Sequence, residues 1–219
     1  MKCFDQIQLP FEGLTGSEIE QKSFEIIKSE MGDTSFAPEE LSIIIRVIHA
    51  TADFDFSEKL LFHPSSVKSG IASIRAGKAI LTDVNMVASG INKFLCDSFG
   101  VEIITPISSV ECANLASEKG ITRAAAAMEL GCKHSNIGIV AIGNAPTALI
   151  RALELIVSGE LKPDLIIGVP VGFVNAAEAK ELLASQDLVP FITVKGRKGG
   201  SPVAAAILNA LLKLASNKD

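Results

Sequence analysis

The stretch NIGIVAIGNAPTALIRALELIVSG, residues 136–159, decides the architecture. After Asn136 it runs apolar without polar alternation for the length of a strand, the mark of a strand covered on both faces. Gly143 and Asn144 then break the run. Pro146 stands where a first helical turn tolerates a missing N–H, and Asn144 is available to cap the helix that follows. Structurally this is a strand-to-helix corner. Functionally, Asn144 and the first free N–H groups could instead bind a ligand carboxylate or carbonyl, and both readings stay open.

The same unit recurs on either side. KAILTDV (78–84), VEIITPI (101–107), DLIIGVPVG (164–172) and PFITVKG (190–196) are short, β-rich apolar runs. Helical stretches alternate with them: NMVASGINKFLCDSF (85–99), NLASEKGITRAAAAMELG (114–131), NAAEAKELLAS (175–185) and SPVAAAILNALLKLAS (201–216). Five strands, each followed by a helix, predict a three-layer α/β/α fold around a five-stranded, mostly parallel, doubly wound sheet of flavodoxin-like topology over residues 77–219. Residues 1–76 read as a helical N-terminal region of the same single domain, 1–219. In it, Ser17 and Glu20 have capping-box spacing, Gly32 stops the first helix, Pro38 opens the second, and a third ends near Gly77.

Composition narrows the function. Of 219 residues, 48% are hydrophobic and 21% charged, the balance of a chain that buries a core. A net charge of −5 argues against non-specific nucleic-acid or anionic-membrane binding, so an anionic ligand must meet a local cationic pocket. The opening MKCFDQIQLPFEG (1–13) lacks a basic segment leading into an apolar run, and LIIGVPVGF (165–173) is soon interrupted; a cytoplasmic location is expected. Cys3, Cys96, Cys112 and Cys132 are scattered, which reads as reduced thiols. Three distant histidines and no paired-carboxylate spacing argue against a protein-bound metal. With no Tyr and no Trp, a flat ligand would rest on Phe, aliphatic side chains and backbone.

In open parallel sheets, ligands sit at the carboxyl ends of the strands. Here those ends are Thr82-Asp83-Val84-Asn85, TPISS (105–109), GNAPTA (143–148), GVPVGF (168–173) and KGRKGGS (195–201). The last resembles an anion cradle. Gly196, Gly199 and Gly200 permit close backbone approach, Lys195, Arg197 and Lys198 supply charge, and a helix N-terminus follows at Ser201-Pro202. It lacks the Walker order, and a basic surface turn would look the same. Arg123 begins an alanine-rich helix against the helix dipole, as a carboxylate binder or a surface ion-pair partner. In RVIHATADFDF (46–56), His49 has Arg46 three residues before it and Asp53 four after it, so all three share a side if the helix persists. A carboxylate neighbour and a helix C-terminus both favour an imidazolium suited to general-acid work, although a capping histidine fits the same pattern. His63 and His134 read as turn residues.

Taken in order, SFEIIKSE (23–30), RVIHATADFDF, ILTDVNMVASGI (80–91), GITRAAAAMEL (120–130), VAIGNAPTAL (140–149), GVPVGFVNAAEAKELL (168–183) and PFITVKGRKGGSPVAAAILNAL (190–211) resemble the blocks of the precorrin-8X (cobalt-precorrin-8) methylmutase family, from about Ser17 to Leu212. The resemblance implies an isomerase of cobalamin biosynthesis that moves a methyl group from C-11 to C-12 of the macrocycle, formally a [1,5]-sigmatropic shift. It implies no cofactor, any cobalt arriving inside the substrate, and a homodimer with sites near its interface. The family's catalytic histidine corresponds to His49, and Ser23 to a substrate contact. Thr82, Asp83, Arg123, Asn144, Gly196, Arg197, Gly199 and Gly200 then surround the anionic substrate, with Asp83 as a donor-binder or orienter and Lys198 as a further neutralising charge. Such a reaction needs no nucleophile, in agreement with the absence of a Ser-His-Asp arrangement. A non-catalytic tetrapyrrole carrier, or a phosphate-binding α/β enzyme using Lys195–Ser201, are the rival readings.

Overall fold

A capping box sets the first helix, two residues earlier than the Ser17–Glu20 spacing suggests. The computed structural model describes residues 13–217, and in it Thr15, not Ser17, is the N-cap of α1 (Gly16–Met31). Two overlapping Ser/Thr-x-x-Glu patterns compete there. The Thr15 backbone N–H and hydroxyl both donate to Glu18 at 2.7 Å, which settles the earlier frame. The expectations for Cys3 and the first twelve residues lie outside the described residues. Helix α2 (Pro38–Thr51) starts on Pro38 and ends at Ala52, whose φ of 52° is left-handed.

A short α3 (Phe56–Lys59) leads into the strand β1 (Leu60–Phe62), and α4 (Ser66–Arg75) follows. The alternating core then comprises β2 (Ala79–Thr82), α5 (Asn85–Gly90), α6 (Lys93–Phe99), β3 (Ile103–Ile104), α7 (Val110–Lys119), α8 (Arg123–Gly131), β4 (Ile137–Ile142), α9 (Pro146–Val157), β5 (Leu165–Gly168), α10 (Ala176–Ala184), β6 (Phe191–Val194) and α11 (Ser201–Ser216). Two stretches expected as single helices are broken pairs. Asn92 and Thr122 each restart a helix by accepting a backbone N–H, from Leu95 and Ala125.

The sheet has six strands, not five, in the order β1-β6-β5-β4-β2-β3. The additional strand is β1, antiparallel to β6, with Leu60 opposite Val194 and Phe62 opposite Ile192. Three residues carry no readable period, so only the pairing reveals it. The five parallel strands, counted along the chain, lie in the order 2-1-3-4-5, the expected flavodoxin-like topology.

Strand residues alternate between two cores. Ile80, Ile139, Ala141, Leu165, Ile167, Ile192 and Val194 meet α2, α4, α5, α6 and α11 on one face. Leu81, Val140, Ile142, Ile166 and Phe191 meet α7 to α10 on the other. Helix α11 is apolar nearly all round because it is covered twice. It touches β4 and β5 on one side and α2 on the other, and Val203, Ile207, Leu208, Leu211 and Leu212 are fully buried.

Candidate functional site at the carboxyl edge of the sheet

Two strand exits are fastened together by one carboxylate. Asp83, just past β2, is wholly buried and accepts the backbone N–H groups of Gly143 (3.1 Å), Asn144 (2.9 Å) and Ala145 (2.8 Å) in the β4–α9 corner. Burial pushes its carboxyl up from the ordinary range, and the three N–H donors oppose that shift. Those three N–H groups are therefore not free for a ligand, which narrows the expectation for this corner to the helix turn beyond Ala145 and to the exposed Asn144 side chain. Nor does Asn144 cap α9, whose N-cap Ala145 has no side-chain bond. Thr82 is equally buried, its hydroxyl 2.7 Å from that of Thr105 past β3.

Close backbone contact joins the corner to the last loop. A Cβ on Gly143 would lie 2.7 Å from the Cα of Ser201, and one on Gly199, where φ is 150°, would lie 2.2 Å from the Val169 carbonyl oxygen. Gly200 donates its N–H to that same carbonyl at 2.8 Å. The glycines are thus needed for the meeting of β4, β5 and β6 exits, before any ligand is considered. Gly196 and Arg197 are exposed, and the Arg197 guanidinium lies over the ring of Phe173, 5.5 Å from its centre. Phe173 and Val174, 83% and 77% exposed, present apolar surface beside that charge. Arg123 is also exposed, and the 2.8 Å contact between the Thr122 and Thr147 hydroxyls sets it beside the β4–α9 corner.

The loop is tied to the end of α2. Lys198 Nζ lies 2.5 Å from an Asp53 oxygen and 2.8 Å from an Asp55 oxygen, so this lysine, expected as a neutralising charge for the substrate, is paired with the protein's own carboxylates. Asp53 also proves to be off the helix, beyond the left-handed Ala52, and its partner is Lys198, not His49. Lys198 and Lys59 hold the Asp55 carboxyl down to about 2. A folded-state value below the unfolded one contributes stability above the ordinary carboxylate range and loses it as the pH falls toward 2. Urea titrations at pH 5 and near pH 2.5 are expected to show a smaller acid-induced loss for Asp55→Asn than for the wild type; equal losses would remove this tether from the acid response.

That tether brings the last turn of α2 to the carboxyl edge, and with it His49. His49 is exposed, with the Phe24 ring edge-on at 5.3 Å between centroids. Arg46, one turn earlier, stacks its guanidinium 4.9 Å from the same ring and donates to Glu20 at 3.1 Å. Ser23, next to Phe24, is half-buried and donates its hydroxyl to the Ile19 carbonyl. The other histidines stand at the opposite edge. His63 follows β1 and pairs with Phe191, the first residue of β6, and His134 precedes β4.

The structure therefore gathers Arg123, Asn144, Gly196, Arg197, Gly199 and Gly200 on one edge, joins His49 to it through Asp53, and places Asp83 and Thr82 in the wall behind. Sequence reasoning missed Phe24, Phe173 and Lys180. The first two look like ordinary core residues, and only their exposure or ring contacts distinguish them. Lys180, in a surface-like run of alanine and glutamate, is 2% exposed and donates its ammonium to the Lys198 carbonyl at 2.6 Å. Among the described residues, no three His, Cys, Asp or Glu side chains are placed to hold a metal ion, and no helix is long and apolar enough to cross a membrane.

Comparison with known proteins agrees over almost the whole chain. The precorrin-8X methylmutase family model matches residues 18–214. The cobalt-precorrin-8 methylmutase of Priestia megaterium is 48% identical over 200 residues, spanning 91% of this chain and 88% of the relative. The precorrin-8X methylmutase of Pseudomonas aeruginosa is 41% identical over 197 residues, spanning 90% and 94%. The crystal structure of precorrin-8X methyl mutase from Thermus thermophilus superposes with a TM-score of 0.84 at 40% identity, covering 91% of this chain and 96% of that one. The chain belongs to the precorrin-8X methylmutase family and is an isomerase of cobalamin biosynthesis.

Proposed function

We propose that the protein moves a methyl group from C-11 to C-12 of precorrin-8X or cobalt-precorrin-8, giving hydrogenobyrinate or cobyrinate, with His49 as the general acid. The observation that carries this reading is the placement of His49. Of the three histidines in the chain, it is the one at the carboxyl edge, exposed, on the last turn of α2. A proton donated from His49 to the macrocycle withdraws electron density from the conjugated system and lowers the barrier to methyl migration; the same proton returns when the product forms. No nucleophile and no cofactor takes part, and cobalt, where present, belongs to the substrate.

The surroundings suit a puckered tetrapyrrole with carboxylate arms. Phe173 and Val174 offer apolar surface, while Arg197, Arg123 and the Asn144 side chain offer donors around it. Ser23 contacts the substrate from α1. The edge is open on a single chain, and a homodimer with its sites near the interface would enclose it. The single domain 1–219 works in the cytoplasm, without nucleic acid or membrane as a partner. A nucleotide reading of the last loop is weakened by Lys198, already bound to Asp53 and Asp55.

Anaerobic incubation with precorrin-8X and, separately, with its cobalt complex tests the proposal. The visible spectrum is expected to shift at unchanged product mass, with the migrating methyl carbon found on C-12 by NMR. Tight binding without spectral change would instead make the protein a carrier.

A further inference from the structure

Lys180 is the least expected charge in the molecule. It projects from α10 into the space beside β6, where a methionine of similar volume would pack without desolvating an ammonium. Its described partner is neutral, the carbonyl oxygen of Lys198 at 2.6 Å. Among the described residues no carboxylate pairs with it, and burial brings the ammonium down to about 8. A buried charge with one carbonyl acceptor is costly, and the peptide it holds explains what is gained.

The Lys198 carbonyl and the Gly199 N–H belong to the same trans peptide plane, in which C=O and N–H point in opposite directions. With the carbonyl fixed on Lys180, the Gly199 N–H must point away from α10. Among the described residues that N–H meets no acceptor, whereas the neighbouring Gly200 N–H is taken by Val169. The cation on the carbonyl side also polarises the peptide, strengthening the N–H as a donor. The side chain of Lys198 is anchored separately on Asp53 and Asp55, so the peptide cannot swing without breaking one tie or the other. Gly199 itself, against the Val169 carbonyl, leaves no room for a Cβ.

We propose that Lys180 is a positioning residue: its buried ammonium fixes the Lys198–Gly199 peptide so that the Gly199 N–H is aimed as a donor at a carboxylate arm of the substrate. This rests on the tetrapyrrole reading above. Lys180 touches neither substrate nor reacting atoms. It acts on affinity through the backbone, and its removal should appear in KM far more than in kcat.

The test compares wild type, Lys180→Met and Lys180→Gln, the last keeping a neutral donor for the Lys198 carbonyl. Lys180→Met is expected to raise KM for precorrin-8X by about ten-fold or more, with the smaller change in kcat, and Lys180→Gln to recover a large part of that loss. Hydrogen exchange of the substrate-free proteins gives a second readout: the amides of residues 196–200 should exchange faster in Lys180→Met than in wild type, while those of β4 and β5 stay protected. Unchanged KM in both folded variants overturns the proposal. Were the wild type not to convert precorrin-8X, the functional reading would fail by itself, and loop exchange would decide: faster exchange upholds the positioning of the peptide, and equal exchange overturns it.

Discussion

Replacing His49 with alanine is expected to lower turnover of precorrin-8X by about 10²–10⁴-fold, the range a positioned general acid contributes. In barrier terms this is about 3–5 kcal/mol. Because the side chain is exposed and its contact is an edge-on meeting with Phe24, the substitution should change stability by no more than about 0.5 kcal/mol. Substrate affinity should hold within a few-fold, since Arg123, Asn144 and Arg197, the donors proposed for the substrate's carboxylate arms, are untouched. The measurement is single-turnover conversion, followed by absorbance under anaerobic conditions, with binding measured separately. Added imidazole is expected to restore part of the rate at an exposed position of this kind. A variant that turns over within about three-fold of wild type would return His49 to a capping residue at the end of α2.

Asp83→Ala should give the largest loss of stability of any single change at the site. Three backbone N–H groups lose their acceptor at once, and each unsatisfied buried donor costs about 1–3 kcal/mol. Water can reach Asn144 and Ala145 more easily than Gly143, and removing a carboxyl strained by burial returns part of the cost. A net destabilisation of about 3 kcal/mol remains, or a fall in Tm of roughly 6–12 °C for a chain of this size. Asp83→Asn should fall between, because one oxygen still accepts while its amide group faces donors. Calorimetry that finds the alanine variant within about 2 °C of wild type would show that the corner holds itself. Activity should fall with stability, since the same corner carries Asn144 and packs Gly143 against Ser201.

The parallel core was legible because its strands are apolar without alternation and end in polar or glycine-rich corners. Helix pairs such as α7 and α8 were less so: Gly120 lies inside an otherwise helical pattern, and the restart depends on the Thr122 hydroxyl accepting one N–H. Strand β1 was illegible in principle, since its three residues become a strand by pairing with a segment some 130 positions later. At the site, residue types were readable but their partners were not. Asp53 looked like the neighbour of His49 on helical spacing, and the left-handed Ala52 turned it toward Lys198 instead. Asp83 looked like a ligand contact, and a fold-level contact across the sheet made it the fastening of another corner. Lys180 carried no signal at all, because burial of a lysine depends on what packs around it.

The double covering of α11 also governs how the chain can be made. The apolar face of α2, with Ile43, Ile44, Val47 and Ile48, has its main partner in α11. About 150 residues separate the end of α2 from the start of α11, so at a synthesis rate of about 5–20 residues per second that face waits about 8–30 s for its cover. Contacts of this sequence separation also slow folding from the denatured state. His49 rides on the waiting helix, so the candidate site can be assembled only after α11 has left the ribosome.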